Sequence, residues 1–311
     1  MAVKRSWRLR RGAVGGTAWK RALSRVSTDA PKHRRAIVAN TLVVALGLLT
    51  IAPLAYMVIV SFMPRGESGT LPIPLWPSRW SLENYHELLV RRQIDGAWFD
   101  YRILPALKNS IGVAALSTLF GLLLTVPAGY ALAKLRFRGR ERVVQLLIAA
   151  LVVPGQVAML PLFLIFRQLG LVNSYAGVIL PGLAGIFGVL FVRQAMLAIP
   201  DELIDAARMD GAGEGRIFVQ IVLPLLTPIV ITLALFLFLA SWNDFLWPLI
   251  VLADQHRYTL PVAVAAIARE HAADGELMMA ASVVTTMPVL LLFLALQRFY
   301  LTGLLGGGVK G

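Results

Sequence analysis

Acid–base or metal chemistry in this 311-residue sequence would have to draw on four histidines and 17 acids, since there is no cysteine. His33, His86, His256 and His271 are far apart and all fall in polar stretches. No H-E-x-x-H, no G-x-S-x-G and no pair of aspartates within one apolar run occurs, so the patterns that hold a zinc ion or activate a serine are missing. The absence of cysteine removes disulfides, thiolate metal sites and thiol nucleophiles. Two places remain where polar side chains gather in a telling setting. One is "DELIDAARMDGAGEGRIFVQIVLP" (201–224), which crowds five acids and two arginines between apolar runs. The other is Asp244, with Trp242 and Asn243, inside a long apolar run.

These residues must be positioned by membrane helices. Of the residues 58% are hydrophobic and only 15% charged, against about 25% charged in a soluble chain. A crossing needs about 20 apolar residues, and six stretches qualify: 36–62, 109–133, 143–166, 175–192, 217–252 and 277–297. The expected fold is therefore all-α, a polytopic membrane protein with six transmembrane helices. The charge-free run from Ala36 to Met63 is too long for the apolar segment of a signal peptide and lacks a small-residue cleavage pattern, so it is read as a retained helix. The domain reading is a basic N-terminal segment (1–35), a six-helix body (36–297) and a short tail (298–311).

Charge sets the orientation. If 1–35 is cytoplasmic, the inside segments (1–35, 134–142, 193–216, 298–311) carry 21 lysines and arginines, and the outside segments (63–108, 167–174, 253–276) carry nine over a similar length. That bias follows the positive-inside rule. The loop "KLRFRGRER" (134–142) holds five of the bases. The net charge of +13 is accounted for by orientation and the lipid surface. A nucleic-acid partner is not expected, because no basic stretch carries the interleaved aromatics of a base-stacking surface. In the outside loop 63–108, Ser81 is the expected N-cap of a short helix.

The acidic stretch then falls on the cytoplasmic face. Pro200 and Asp201 mark a helix start and Gly211 its stop. Leu203, Ala206, Ala207 and Asp210 share a helical face. That face is small and its charge acidic, where a helix lying on the anionic inner leaflet would be bulky and basic. The pattern predicts docking into a groove on another protein. At membrane depth Asp244 either faces a cavity with Trp242 and Asn243, or is a structural pair near the surface while Trp242 and Trp247 mark the interfacial belt. Gln156, in "VVPGQVAMLP" between the kinking prolines Pro154 and Pro161, either reaches inward or bonds a neighbouring helix.

Asp205-Ala206-Ala207, three residues, Gly211, nine residues, Ile221, one residue and Leu223-Pro224 resemble the EAA loop of ABC importer permeases, with aspartate in place of the leading glutamate. "PAGYALAKLRFRGR" (127–140), "SWNDFLWPL" (241–249) and the tail "QRFYLTGLLGGGVKG" (297–311) are similar to the maltose-type carbohydrate-uptake members. The resemblance implies a type I importer permease fold. It implies a coupling helix in which Glu202, Asp205, Ala206, Ala207, Asp210 and Gly211 meet the ATPase. The implied partners are a second permease subunit, two ATP-binding-cassette subunits and an extracytoplasmic solute-binding protein. The chain itself would be non-catalytic and bind no cofactor, with ATP and magnesium in the ATPase subunits. No G-x-x-x-x-G-K-[ST] occurs, and "GLLGGGVKG" lacks that spacing. The cargo would be a sugar, an oligosaccharide, or a related polyol or sugar phosphate, for which Trp242, Asn243, Asp244 and Gln156 are the pathway candidates. A polytopic enzyme lacks its constellation here. A stand-alone secondary transporter would carry internal repeats and several intramembrane charges, and neither is visible.

Overall fold

A computed structural model describes residues 16–90, 92–94, 97–99, 103–183, 185–270 and 274–306; for 16–35, 92–94, 97–99, 270 and 298–306 only the backbone is described. The expectations placed on 1–15, on His271 and on the last five residues lie outside the described set. The chain divides into two compact units, one through Tyr56 and one from Met57.

Helix α1 (Gly16–Ser61) carries the first apolar run. In the first unit its side chains from Ala36 to Ala55 are exposed and overwhelmingly apolar, as lipid contact requires. The hydroxyls of Thr41 and Thr50 donate back to the carbonyls of Ile37 and Leu46, which hides them from a greasy surround.

The second unit holds α2 (Glu83–Leu89), α3 (Ile103–Lys134), α4 (Arg140–Ala150), α5 (Met159–Gln168), α6 (Tyr175–Ile179), α7 (Ile186–Leu197), α8 (Asp201–Met209), α9 (Glu214–Ile217), α10 (Leu223–Leu225), α11 (Thr227–Trp242), α12 (Leu246–Val251), α13 (Leu260–Glu270) and α14 (Gly275–Gly306). A small hairpin of β1 (Arg92–Ile94) and β2 (Ala97–Phe99), with Gln93 opposite Trp98, is a local departure from the all-α expectation. Among the described residues three helices are each long and apolar enough to cross a membrane, and the count reaches six if each bent pair is one crossing.

The bends refine the six apolar runs. α4 and α5 meet at 90°, and the break falls just before Pro154. Pro161 causes none, because it sits in the first turn of α5 where its missing N–H has no partner to lose. The run 217–252 is not one helix. It folds through 81° at Leu226, where Pro228 has no N–H for the Pro224 carbonyl, which accepts from the Thr227 hydroxyl instead at 2.8 Å. It breaks again at 243–245 before α12.

α3 is the axis of the unit, packed against α7 and α11. The approach to α7 is closest at Gly129, where a Cβ would stand 2.6 Å from Val192 Cγ1. Around α3 lie three buried clusters, centred on Ile103, Trp242 and Leu277, on Tyr130, Met196 and Ile204, and on Phe166, Trp247 and Val251. The outside loop folds onto the first of these. Asn84 of α2 is buried and donates to the carbonyls of Ser61 (3.0 Å) and Met63 (2.9 Å). The helix starts at Glu83 with Leu82 as cap, one residue later than expected, although Ser81 Oγ still accepts the Glu83 N–H.

Candidate functional site

The stretch 201–209 is helical, as Pro200 and Asp201 predicted. Asp201 and Glu202 lie in its first turn and Arg208 in its last, each suited to the dipole of its end. It stops because Gly211 takes φ +83°, a conformation that costs other residues about 1–2 kcal/mol. The Gly211 N–H then bonds Arg208 O and the Ala212 N–H bonds Ala207 O, each at 3.0 Å, satisfying two helix-end carbonyls. A Cβ at Gly211 would meet nothing, so the backbone angle alone calls for glycine.

The faces of α8 differ from the expected grouping. Ile204 (1% exposed) and Ala207 (9%) turn inward onto Val126, Tyr130, Met196 and Ile217. Glu202, Leu203, Asp205, Ala206, Met209 and Asp210 are exposed. Ala207 therefore leaves the predicted docking set. With Ile204 turned inward, the residue three positions on follows it onto the same face. Met209, 84% exposed, joins the outward face and was missed.

The acids also divide. Arg208 donates from Nε to Glu214 Oε1 (2.7 Å) and from its terminal nitrogen to Asp205 Oδ1 (2.8 Å). Tyr130 at the end of α3 donates its hydroxyl to Glu214 Oε2 (2.7 Å). Lys134, one turn further along α3, donates to Ile199 O (2.6 Å) and to the Asp201 carboxylate (2.5 Å). The hydrogen bond and charge of Lys134 hold the Asp201 carboxyl below its ordinary value. Among the described residues Glu202 and Asp210 form no ion pair and point away from the body. The Asp205–Arg208 pair was legible from its i, i+3 spacing; the α3 partners were not.

At membrane depth a cleft of about 450 Å³ opens among α3, α5, α6 and the α11–α12 break. Ser117, Met159, Pro181, Ser241, Asp244 and Trp247 are among its lining residues. Of the four pathway candidates only Asp244 reaches it. Asp244 is half-buried there, at the break between α11 and α12. Trp242 is 1% exposed, stacks on Phe238 (5.6 Å, 16°) and donates Nε1–H to Thr285 O (3.3 Å). It is a core residue. Asn243 is exposed and donates to Leu239 O at 2.9 Å, satisfying its own helix end. Gln156 is exposed in the turn Gly155–Ala158, whose Gly155 and Ala158 line the cleft while Gln156 does not. The interfacial-belt alternative also falls for Trp247, which is 5% exposed and donates to Gly177 O at 2.9 Å. Ser117 and Ser241 carried no signal in sequence beyond being small polar residues in apolar runs.

The comparisons agree with this layout. The family model described as "Binding-protein-dependent transport system inner membrane component" matches residues 111–303. The arabinooligosaccharides transport system permease protein AraQ of Halalkalibacterium halodurans is 36% identical over 268 residues, covering 86% of this chain and 93% of that protein. The diacetylchitobiose uptake system permease protein NgcG of Streptomyces coelicolor is 32% identical over 283 residues, covering 90% and 89%. Among solved structures, a bacterial ABC transporter involved in the import of the acidic polysaccharide alginate superposes with a TM-score of 0.74 at 23% identity, over 87% of this chain and 98% of that one. At that identity the likeness speaks for the fold.

Proposed function

This chain belongs to the family of binding-protein-dependent transport system inner membrane components, and from that premise we propose that it is the half-channel of an importer that moves a carbohydrate at the expense of ATP hydrolysed elsewhere. The observation that carries the reading is the outward face of α8. Glu202, Ala206, Met209 and Asp210 form an acidic, small-centred surface on a helix fixed at both ends, and none of the described residues covers it. A partner ATPase with a matching groove would seat there, and closure of two such subunits would move two such helices as rigid bodies.

In this reading the assembly holds a second permease subunit, two ATP-binding-cassette subunits that carry ATP and magnesium, and an extracytoplasmic solute-binding protein. The chain is non-catalytic. Its N- and C-termini face the cytoplasm, in keeping with the 21-to-9 distribution of lysine and arginine. A carbohydrate cargo is supported by the names of relatives that cover nearly the whole chain, which specify arabinooligosaccharides and diacetylchitobiose. Asp244, Ser117, Ser241 and Trp247 would contribute hydrogen bonds and an aromatic edge to such a cargo as it passes.

The test is purification of this chain with its neighbours from native membranes, followed by reconstitution with the binding protein and ATP. An ATPase subunit in the assembly and ATP-dependent uptake from a panel of oligosaccharides are expected. Uptake by the purified chain alone, or by an assembly lacking any ATPase, refutes the reading.

A further inference from the structure

We infer that the C-terminal end of α3 is the element that receives motion from α8, with Tyr130 and Lys134 as its two positioning residues. The inference rests on the coupling role proposed above and goes beyond it, since it names the path by which force leaves the helix.

Tyr130 and Lys134 stand four residues apart, so they project from one side of α3 in successive turns. They reach opposite ends of the α8 hairpin. Lys134, its side chain 4% exposed, holds Asp201, the first residue of α8, and the Ile199 carbonyl that precedes it. Tyr130, 5% exposed, holds Glu214 beyond the Gly211 turn, and Glu214 holds Arg208, which in turn holds Asp205. The Tyr130 ring is itself fixed against Phe218 at 5.1 Å.

Apolar packing of Ile204 and Ala207 resists separation but is indifferent to sliding, because it has no direction. Charge-assisted hydrogen bonds at both ends are directional and short. With both in place α8 cannot rock about one end without dragging α3. α3 in turn is packed on α7 and α11 and lines the membrane cleft through Ser117. A displacement at Ala206 therefore reaches the cleft through one helix.

The experiment measures substrate moved per ATP hydrolysed in the reconstituted assembly. Tyr130→Phe deletes one oxygen and leaves the ring against Phe218. It is expected to lower the ratio by about fivefold, the lower end of site-to-site coupling, while hydrolysis and assembly yield persist. Tyr130→Phe combined with Glu214→Gln should be no worse than Glu214→Gln alone, because both act on one bond. Tyr130→Phe with Lys134→Met should be worse than either single change, and Lys134→Arg should restore the ratio lost in Lys134→Met. An unchanged ratio in Tyr130→Phe, in an assembly that hydrolyses ATP, overturns the inference alone. A fall in transport, hydrolysis and yield together assigns Tyr130 a structural role and overturns it too. An assembly with no ATPase overturns both this inference and the reading beneath it.

Discussion

Ala206 and Ala207 are consecutive in the sequence, yet one is exposed and the other buried on α8. Ala207 is packed inward beside Ile204 and Met196, while Ala206 is exposed between Asp205 and Met209. One alanine is small because the body of the protein presses on it. The other is small on a surface that the described residues leave open, which suits close approach of a partner.

Ala206→Trp is expected to leave folding intact and to abolish co-purification of the ATPase. Ala207→Leu is expected to do the reverse in kind, lowering the thermal midpoint through overpacking of about 1–3 kcal/mol. Fluorescence-detected size-exclusion after heating, with subunit composition read from the same peak, separates the two. If Ala206→Trp retained the ATPase, the outward face would not be the docking surface.

Gly211→Ala should destabilise the α8 turn by about 1–2 kcal/mol, since no side chain is in the way and only the left-handed backbone resists. Gly211→Asn should cost less, as asparagine tolerates that region. Hydrogen exchange of the Gly211 and Ala212 amides reports the change directly: both should exchange faster in the alanine variant, with asparagine in between. Equal protection in all three would mean that the turn is held by something other than its φ.

The legible parts of this fold are those written in local order. Of the six apolar runs, three became unbroken helices long enough to cross and three became bent helix pairs, because lipid demands length and composition. Pro200, Asp201 and Gly211 gave the ends of α8. The bend at Leu226 was written in Pro228 and Pro224, yet an apolar run reads as one span until the missing N–H is weighed. What local order could not supply were partners distant in sequence. Lys134 lies 67 residues from Asp201 and Tyr130 84 residues from Glu214, so the α3 attachments appear only in three dimensions. The pathway reading of Trp242 failed for a related reason. An aromatic beside an acid suggests a sugar platform, whereas the helix turns Trp242 towards Thr285 and Asp244 towards the cleft.

Asp201 should titrate below the ordinary aspartate value of 3.8, because Lys134 donates to its charged form. Its folded value is depressed, so the contact is fully present above the ordinary value and is lost as pH falls through the lowered one. Near neutrality the attachment is insensitive to pH. The Asp201 side chain is 76% exposed, so its contribution is small and salt should weaken it. Carbonyl carbon shifts of labelled aspartate followed through acid should place the Asp201 midpoint low in the native protein. In Lys134→Met it should return to the ordinary range, and a midpoint indifferent to that change would refute the pairing.

Trp242 and Asp244, two residues apart, should fail in different ways. Trp242→Ala empties a fully buried site and is expected to cost about 3–5 kcal/mol, seen as lost yield and a lowered thermal midpoint with no change in cargo preference among surviving molecules. Asp244→Asn keeps the size and shape of the side chain, so α12 should form and yield should hold. The substitution removes the only ionisable side chain among the described residues lining the cleft. A hydrogen bond to a charged group is worth about 1.5–3 kcal/mol, so uptake should fall by about tenfold or more if the cargo touches that carboxylate, with ATP hydrolysis persisting. Uptake at the native rate in Asp244→Asn, with yield intact, would take Asp244 out of the cargo path.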